Sequence, residues 1–163
     1  MLTLTQICAP SEHVAGVLVL PFALRQKSRL RAFLDSGEEV ALILPRGTVV
    51  RGGDYLWGEE RRVVQVVAAT EEVCRIDGEN HHVLARCAYH LGNRHVPLQI
   101  GYGWLRIERD PVLKEMLVGL GARVRDEKAS FEPEGGAYGS PHAQPHDHPA
   151  VSGRPLVFRR QGT

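Results

Sequence analysis

Disulfide chemistry has little to work with in this chain. Its three cysteines, Cys8, Cys74 and Cys87, are odd in number, widely spaced and without a Cys-x-x-Cys pair. That argues against a disulfide frame or a structural zinc site and suits reduced thiols in a cytosol. Charge of one sign is also missing: 20 basic residues face 19 acidic ones, for a net charge of +1. The balance argues against a dedicated nucleic-acid binder and gives no reason to expect binding to anionic membranes. No apolar run reaches spanning length. The segment Met1-Leu2-Thr3-Leu4-Thr5-Gln6 lacks the basic start of a signal peptide, so a cytoplasmic protein is expected.

What is present begins with enough apolar residue, 43%, for a core in one medium domain or two small ones. Residues 1 to about 70 read as all-β. The runs Gly16 to Pro21 and Glu39 to Pro45 are short, apolar and ended by proline, and Arg61 to Val67 is rich in β-branched residues. Gly37, Gly47, Gly52 and Gly53 supply turns, which suggests a small sandwich or barrel-like unit.

From residue 71 the pattern changes. Val73 to Asp77 reads as a strand. Asn80 caps a helix whose stripe is Val83, Leu84, Cys87, Ala88 and Leu91. Gly92 follows the last periodic residue, where a left-handed C′ position is expected. Pro97 to Gly101 and Trp104 to Arg109 read as strands around a turn at Gly101-Tyr102-Gly103. Asp110 caps a second helix with Pro111 at its first position and a stripe of Val112, Leu113, Met116, Leu117 and Leu120. Arg123 to Phe131 is the last strand. The fold class is therefore α+β: a small all-β domain over 1–70, then a ferredoxin-like βαββαβ domain over 71–132. A flexible tail over 133–163 follows, rich in glycine and proline and holding His142, His146 and His148.

The helix end and the loop after it carry the most specific letters. The run His90-Leu91-Gly92-Asn93-Arg94-His95-Val96-Pro97-Leu98-Gln99-Ile100 resembles the signature of the urease accessory metallochaperones, the UreE family. The resemblance implies that His95 is the primary nickel ligand and lies on the two-fold axis of a homodimer. The segments Leu44-Pro45-Arg46-Gly47-Thr48, Gly53-Asp54 and Leu56, with the basic stretch Arg25-Gln26-Lys27-Ser28-Arg29, look like the family's N-terminal domain. That domain is similar to a co-chaperone's peptide-binding domain, which implies a docking role. The basic stretch also reads simply as a solvated face. The implied partners are the GTPase of urease maturation and the apo-urease assembly complex. Some members carry a further histidine pair before the second helix; Glu108-Arg109-Asp110-Pro111 stands there instead, so no second internal site is expected.

The chemistry follows from the donor. Neutral imidazole suits Ni²⁺, and equally Zn²⁺ or Cu²⁺. One imidazole holds such an ion poorly, so a dimer supplies two. The tail adds His146 and His148, whose His-x-His spacing lets both reach one ion, with His142 the weaker candidate; Asp147 and water complete the shell. A rigid inner pair with a loose outer set suits a carrier that must release its cargo. His81, His82 and His90 read as helix-surface residues, and Cys87 as core. A second reading is a small ferredoxin-like hydrolase using Asn93, Arg94 and His95. Against it, the loop has no phosphate cradle, no Ser or Cys nucleophile and no paired acids. A third, RNA binding, needs aromatic platforms on the sheet, where only Tyr102 and Trp104 are near the central strands.

Overall fold

The computed structural model describes residues 1–58 and 61–136. The chain is mixed α/β and mostly strand. In order the elements are β1 (Leu2–Cys8), β2 (Gly16–Leu20), α1 (Phe22–Arg25), β3 (Arg29–Phe33), β4 (Glu39–Ile43), β5 (Tyr55–Gly58) and β6 (Val63–Ala68). There follow β7 (Thr70–Asp77), α2 (His81–Gly92), β8 (Gln99–Gly101), β9 (Trp104–Glu108), α3 (Pro111–Gly119) and β10 (Arg123–Ser130).

The first six strands form one sheet in the order β2-β6-β5-β1-β4-β3. Its two edges approach one another beyond β3. The Asp35 amide donates to Val17 O at 2.9 Å, and Asp35 Oδ1 accepts from the Val17 amide at 2.9 Å. The sheet thus curls toward closure around Leu4, Leu18, Val40, Leu42, Leu56, Val64 and Val66. Each such side chain contributes about 1.5–3 kcal/mol on leaving water. The runs at 16–21, 39–45 and 61–67 became β2, β4 and β6. Three further strands, β1, β3 and β5, were not anticipated. β3 reads Arg-Leu-Arg-Ala-Phe, and its alternating exposure marks a strand with one wet face.

The remaining four strands form a second sheet, order β10-β7-β9-β8, antiparallel throughout. Helices α2 and α3 cover one face, closing a core of Cys74, Ile76, Cys87, Leu91, Leu105, Ile107 and Leu117. Side chains alternate across a strand, so Arg75 and Arg106 emerge on the other face. They bracket the Trp104 ring at 4.9 and 4.7 Å, and Arg106 reaches Glu127 at 2.6 Å. A base has no bare aromatic platform there. Val112 departs from the expected stripe of α3: it is 75% exposed. Successive helical residues are about 100° apart, which turns Val112 away from Leu113 and toward solvent.

The two sheets are joined by a third cluster, Phe22, Val73 and Phe131. The phenyl rings of Phe22 and Phe131 meet edge to face, 5.6 Å apart. Above them lies Arg25, which has no solvent exposure at all. The solvated-face reading of the basic stretch is thus wrong at its first residue. Arg25 Nε donates to Leu20 O at 3.1 Å, Nη2 to Phe131 O, and Nη1 to Glu132 Oε1 at 2.8 Å. A buried guanidinium is tolerated because its donors are used and a carboxylate balances its charge.

Candidate metal centre

Helix α2 starts where expected. Asn80 Oδ1 accepts from the Val83 amide at 3.0 Å, capping one free donor of the first turn. The apolar stripe, with Cys87 and Leu91 fully buried, fixes the helix against the sheet. Its far end differs from expectation. Gly92 is still helical and Asn93 remains right-handed. The left-handed residue is His95, with φ +54°. The His95 amide donates to Gly92 O at 2.9 Å and the Val96 amide to Leu91 O at 3.2 Å. This crossed pair is a Schellman closure with a histidine in the position that usually takes glycine. Leu91 and Val96, the two ends of the closure, both pack in the core. That apolar pair five residues apart was the legible signal, and Gly92 drew attention from it.

The consequence for His95 is a fixed backbone and a free side chain. Val96 and Leu98 anchor the chain behind it, while the imidazole itself is exposed. Arg94 does not point toward it for catalysis: Arg94 Nη1 donates back to His90 O at 3.1 Å, filling a helix-end carbonyl. The negative end of the α2 dipole lies here, which favours a cation nearby. Tyr89 and Ile100, on the segments entering and leaving the loop, are both largely exposed. Among the described residues, no three His, Cys, Asp or Glu side chains converge on one point. From these residues one chain offers a single imidazole at this loop.

The other histidines divide clearly. His81 and His82 are exposed at the start of α2, and the His90 ring packs edge to face on Tyr89 at 5.3 Å. His142, His146 and His148 lie outside the described residues. The chain leading to them departs beside the loop, because the Glu134 amide donates to Leu98 O at 2.8 Å. Burial pushes the Cys87 thiol up, and burial together with its hydrogen bond to Asp126 pushes up Cys74. Both side chains are fully buried in the core and face no solvent from which an ion could arrive. At the family's alternative histidine position, Asp110 Oδ1 accepts from the Val112 and Leu113 amides at 2.9 and 3.0 Å. Arg109 pairs with Glu72 at 3.3 Å.

Residues 3–69 match the family described as UreE urease accessory protein, N-terminal domain, and residues 71–153 match its C-terminal domain. The chain belongs to the UreE family of urease accessory proteins. It is 59% identical over 140 residues to the urease accessory protein UreE of Nitrosospira multiformis, covering 86% of this chain and 80% of that protein. Identity to the UreE of Janthinobacterium sp. (strain Marseille) is 53% over 139 residues, covering 85% and 82%. With the UreE of Ralstonia nicotianae it is 55% over 133 residues, covering 82% and 63%. The hydrolase reading of the Asn93-Arg94-His95 loop finds no support in these relatives, which are named as accessory proteins. Among the described residues, no helix is long and apolar enough to cross a membrane.

Proposed function

We propose that this chain is a cytoplasmic, non-enzymatic nickel carrier for urease metallocentre assembly, binding Ni²⁺ between two His95 imidazoles of a homodimer. The observation that carries the reading is His95 itself, an exposed imidazole on a left-handed backbone clamped by core contacts. A ligand position that tolerates such strain is over-determined by its surroundings, and strain of this kind gathers at functional sites. Exposed Tyr89 and Ile100 beside the loop favour a second copy there. The strand order β10-β7-β9-β8 with both helices on one face supports a ferredoxin-like platform over residues 71–132, preceded by a partner-binding β domain over 1–70.

The exit of the chain at Glu134 supports the second half of the proposal. A segment as long as that from Glu134 to His142 extends up to roughly 25 Å, and His146 and His148 lie further along. That length is enough for all three to meet an ion at His95 of their own subunit, since Glu134 is held at Leu98. Inner imidazoles set the position, and outer ones capture and surrender the cargo to the maturation GTPase and the apo-urease complex. Zn²⁺ and Cu²⁺ fit the same donors. Protonated imidazole cannot ligate, so acidification favours release.

The test is calorimetric titration of Ni²⁺ and Zn²⁺ into the full chain, His95→Ala and a chain stopped after Glu134, with light scattering for mass. Loss of His95 should remove the tight site. Loss of the tail should weaken it or lower its stoichiometry. Undiminished tight binding by His95→Ala would overturn the proposal.

A further inference from the structure

Among the described residues, many basic side chains are paired with carboxylates. Arg25 and Arg51 pair with Glu132, Arg62 with Glu38, Arg106 with Glu127, and Lys114 with Asp126. Three that are not paired with any described carboxylate, Lys27, Arg29 and Arg46, line one open groove together with Ser28, Leu44 and Pro45. The groove encloses about 700 Å³, and no acidic residue lines it. Like charges gathered without counter-charge repel one another, so an arriving anion gains from all three.

The walls are firm. The Leu44 amide donates to Ser28 O at 2.7 Å, the Val50 amide to Arg25 O at 2.9 Å, and Gly47 turns the chain with φ +81°. Behind them stand buried Arg25 and Leu44. Such a groove loses little entropy on binding.

The groove opens onto the outer face of the β3–β4 hairpin. Arg29 stands opposite Ile43 in the antiparallel register, and Phe33 opposite Glu39. Opposed residues share a face, so Arg29, Arg31, Phe33 and Ile43 point the same way. Phe33 is 66% exposed and Ile43 48%. Arg29 and Arg31, with Phe33 and Ile43 beside them and Glu39 at the far end, therefore share a strip that runs for roughly 13 Å on β3. Arg31 is loosely held by Glu39 at 3.8 Å.

We propose that this groove and strip form a docking surface for an acidic segment of a partner protein, with apolar residues set between its carboxylates. The cations match the carboxylates; Phe33 and Ile43 match the apolar residues. Nucleic acid is the poorer fit, because no aromatic ring lines the groove and the chain's net charge is only +1. The surface lies on the first sheet; the proposal rests on the partner-binding reading of that domain and is independent of the metal reading.

The test uses the full chain, without added metal, and a fluorescein-labelled synthetic peptide of alternating glutamate and leucine, followed by anisotropy at low salt. Binding should weaken with salt, and the double variant Lys27→Glu, Arg46→Glu should weaken it about tenfold or more. Phe33→Ser should also weaken it. The control double variant Arg86→Glu, Arg123→Glu should bind as the unaltered chain does. Matching thermal midpoints establish that the variants fold. No binding, or equal binding by the reversed groove, overturns the proposal. So does tighter binding of oligothymidylate, or displacement of the peptide by inorganic phosphate at equal charge.

Discussion

Arg25 and Glu132 meet at 2.8 Å across 107 residues of chain, and through them the first sheet grips the end of the second. Glu132 accepts from Arg25, from Arg51 at 3.2 Å and from the Gly52 amide at 2.7 Å. Its own amide donates to Gln99 Oε1 at 3.1 Å, at the start of β8. The root of the C-terminal segment is therefore tied to both sheets and lies beside the His95 loop.

Breaking this pair from one side leaves each charge only its second partner, Glu71 for Arg25 and Arg51 for Glu132. Arg25→Ala leaves Glu132 with Arg51 and the Gly52 amide, and Leu20 O with the Ala69 amide, but removes a buried donor from Phe131 O, so a loss of about 1–3 kcal/mol is expected. Glu132→Gln keeps the shape and several hydrogen bonds but leaves buried Arg25 with only the more distant Glu71, at 4.0 Å, as counter-charge, and should lose somewhat less. Urea unfolding checks both. If Arg25→Ala unfolds at the same urea concentration as the unaltered chain, the clamp contributes nothing.

The backbone at His95 yields a prediction in which stability and binding move in opposite directions. A non-glycine residue at φ +54° carries about 1–2 kcal/mol of strain. Glycine relieves that strain but gains freedom in the unfolded chain, at a cost of about 0.4–1 kcal/mol. His95→Gly should therefore unfold at higher urea, by about 0.5–1 kcal/mol, while losing tight metal binding. A destabilised His95→Gly would mean that the imidazole supports the fold.

The sequence made the helical unit easier to read than the β unit. Asn80, Asp110 and Pro111 mark helix starts by side-chain chemistry that acts within three residues, and the structure places each cap as read. β1, β3 and β5 depend on partners far along the chain; β1, for instance, pairs with β4 and β5. Arg25 looked like a surface cation because its carboxylates, Glu71 and Glu132, are remote in sequence. His95 stood out by its neighbours, but its left-handed backbone did not, since Gly92 offered a cheaper stop. His142, His146 and His148 lie outside the described residues.

Acid should loosen the protein through two carboxylates, Glu38 just before β4 and Asp126 on β10. The hydrogen bond from Lys114, at 2.9 Å, and that from the Cys74 thiol hold Asp126 below its ordinary range. The two-pronged bond from Arg62, both contacts at 2.6 Å, does the same for Glu38. A carboxylate whose folded pKa is depressed adds stability that is fully present above its unfolded pKa. That stability is lost as pH falls through the folded pKa. The window therefore opens near pH 4, about where free Asp and Glu titrate, and extends below it. Urea midpoints measured stepwise from neutral pH to about pH 3 should fall across this window. Asp126→Asn and Glu38→Gln should each lower the neutral midpoint and flatten the acid slope. The two share no partner, Glu38 pairing with Arg62 and Asp126 with Lys114 and Arg109, so their effects should add. An acid slope unchanged in the double variant would show that other groups govern acid unfolding.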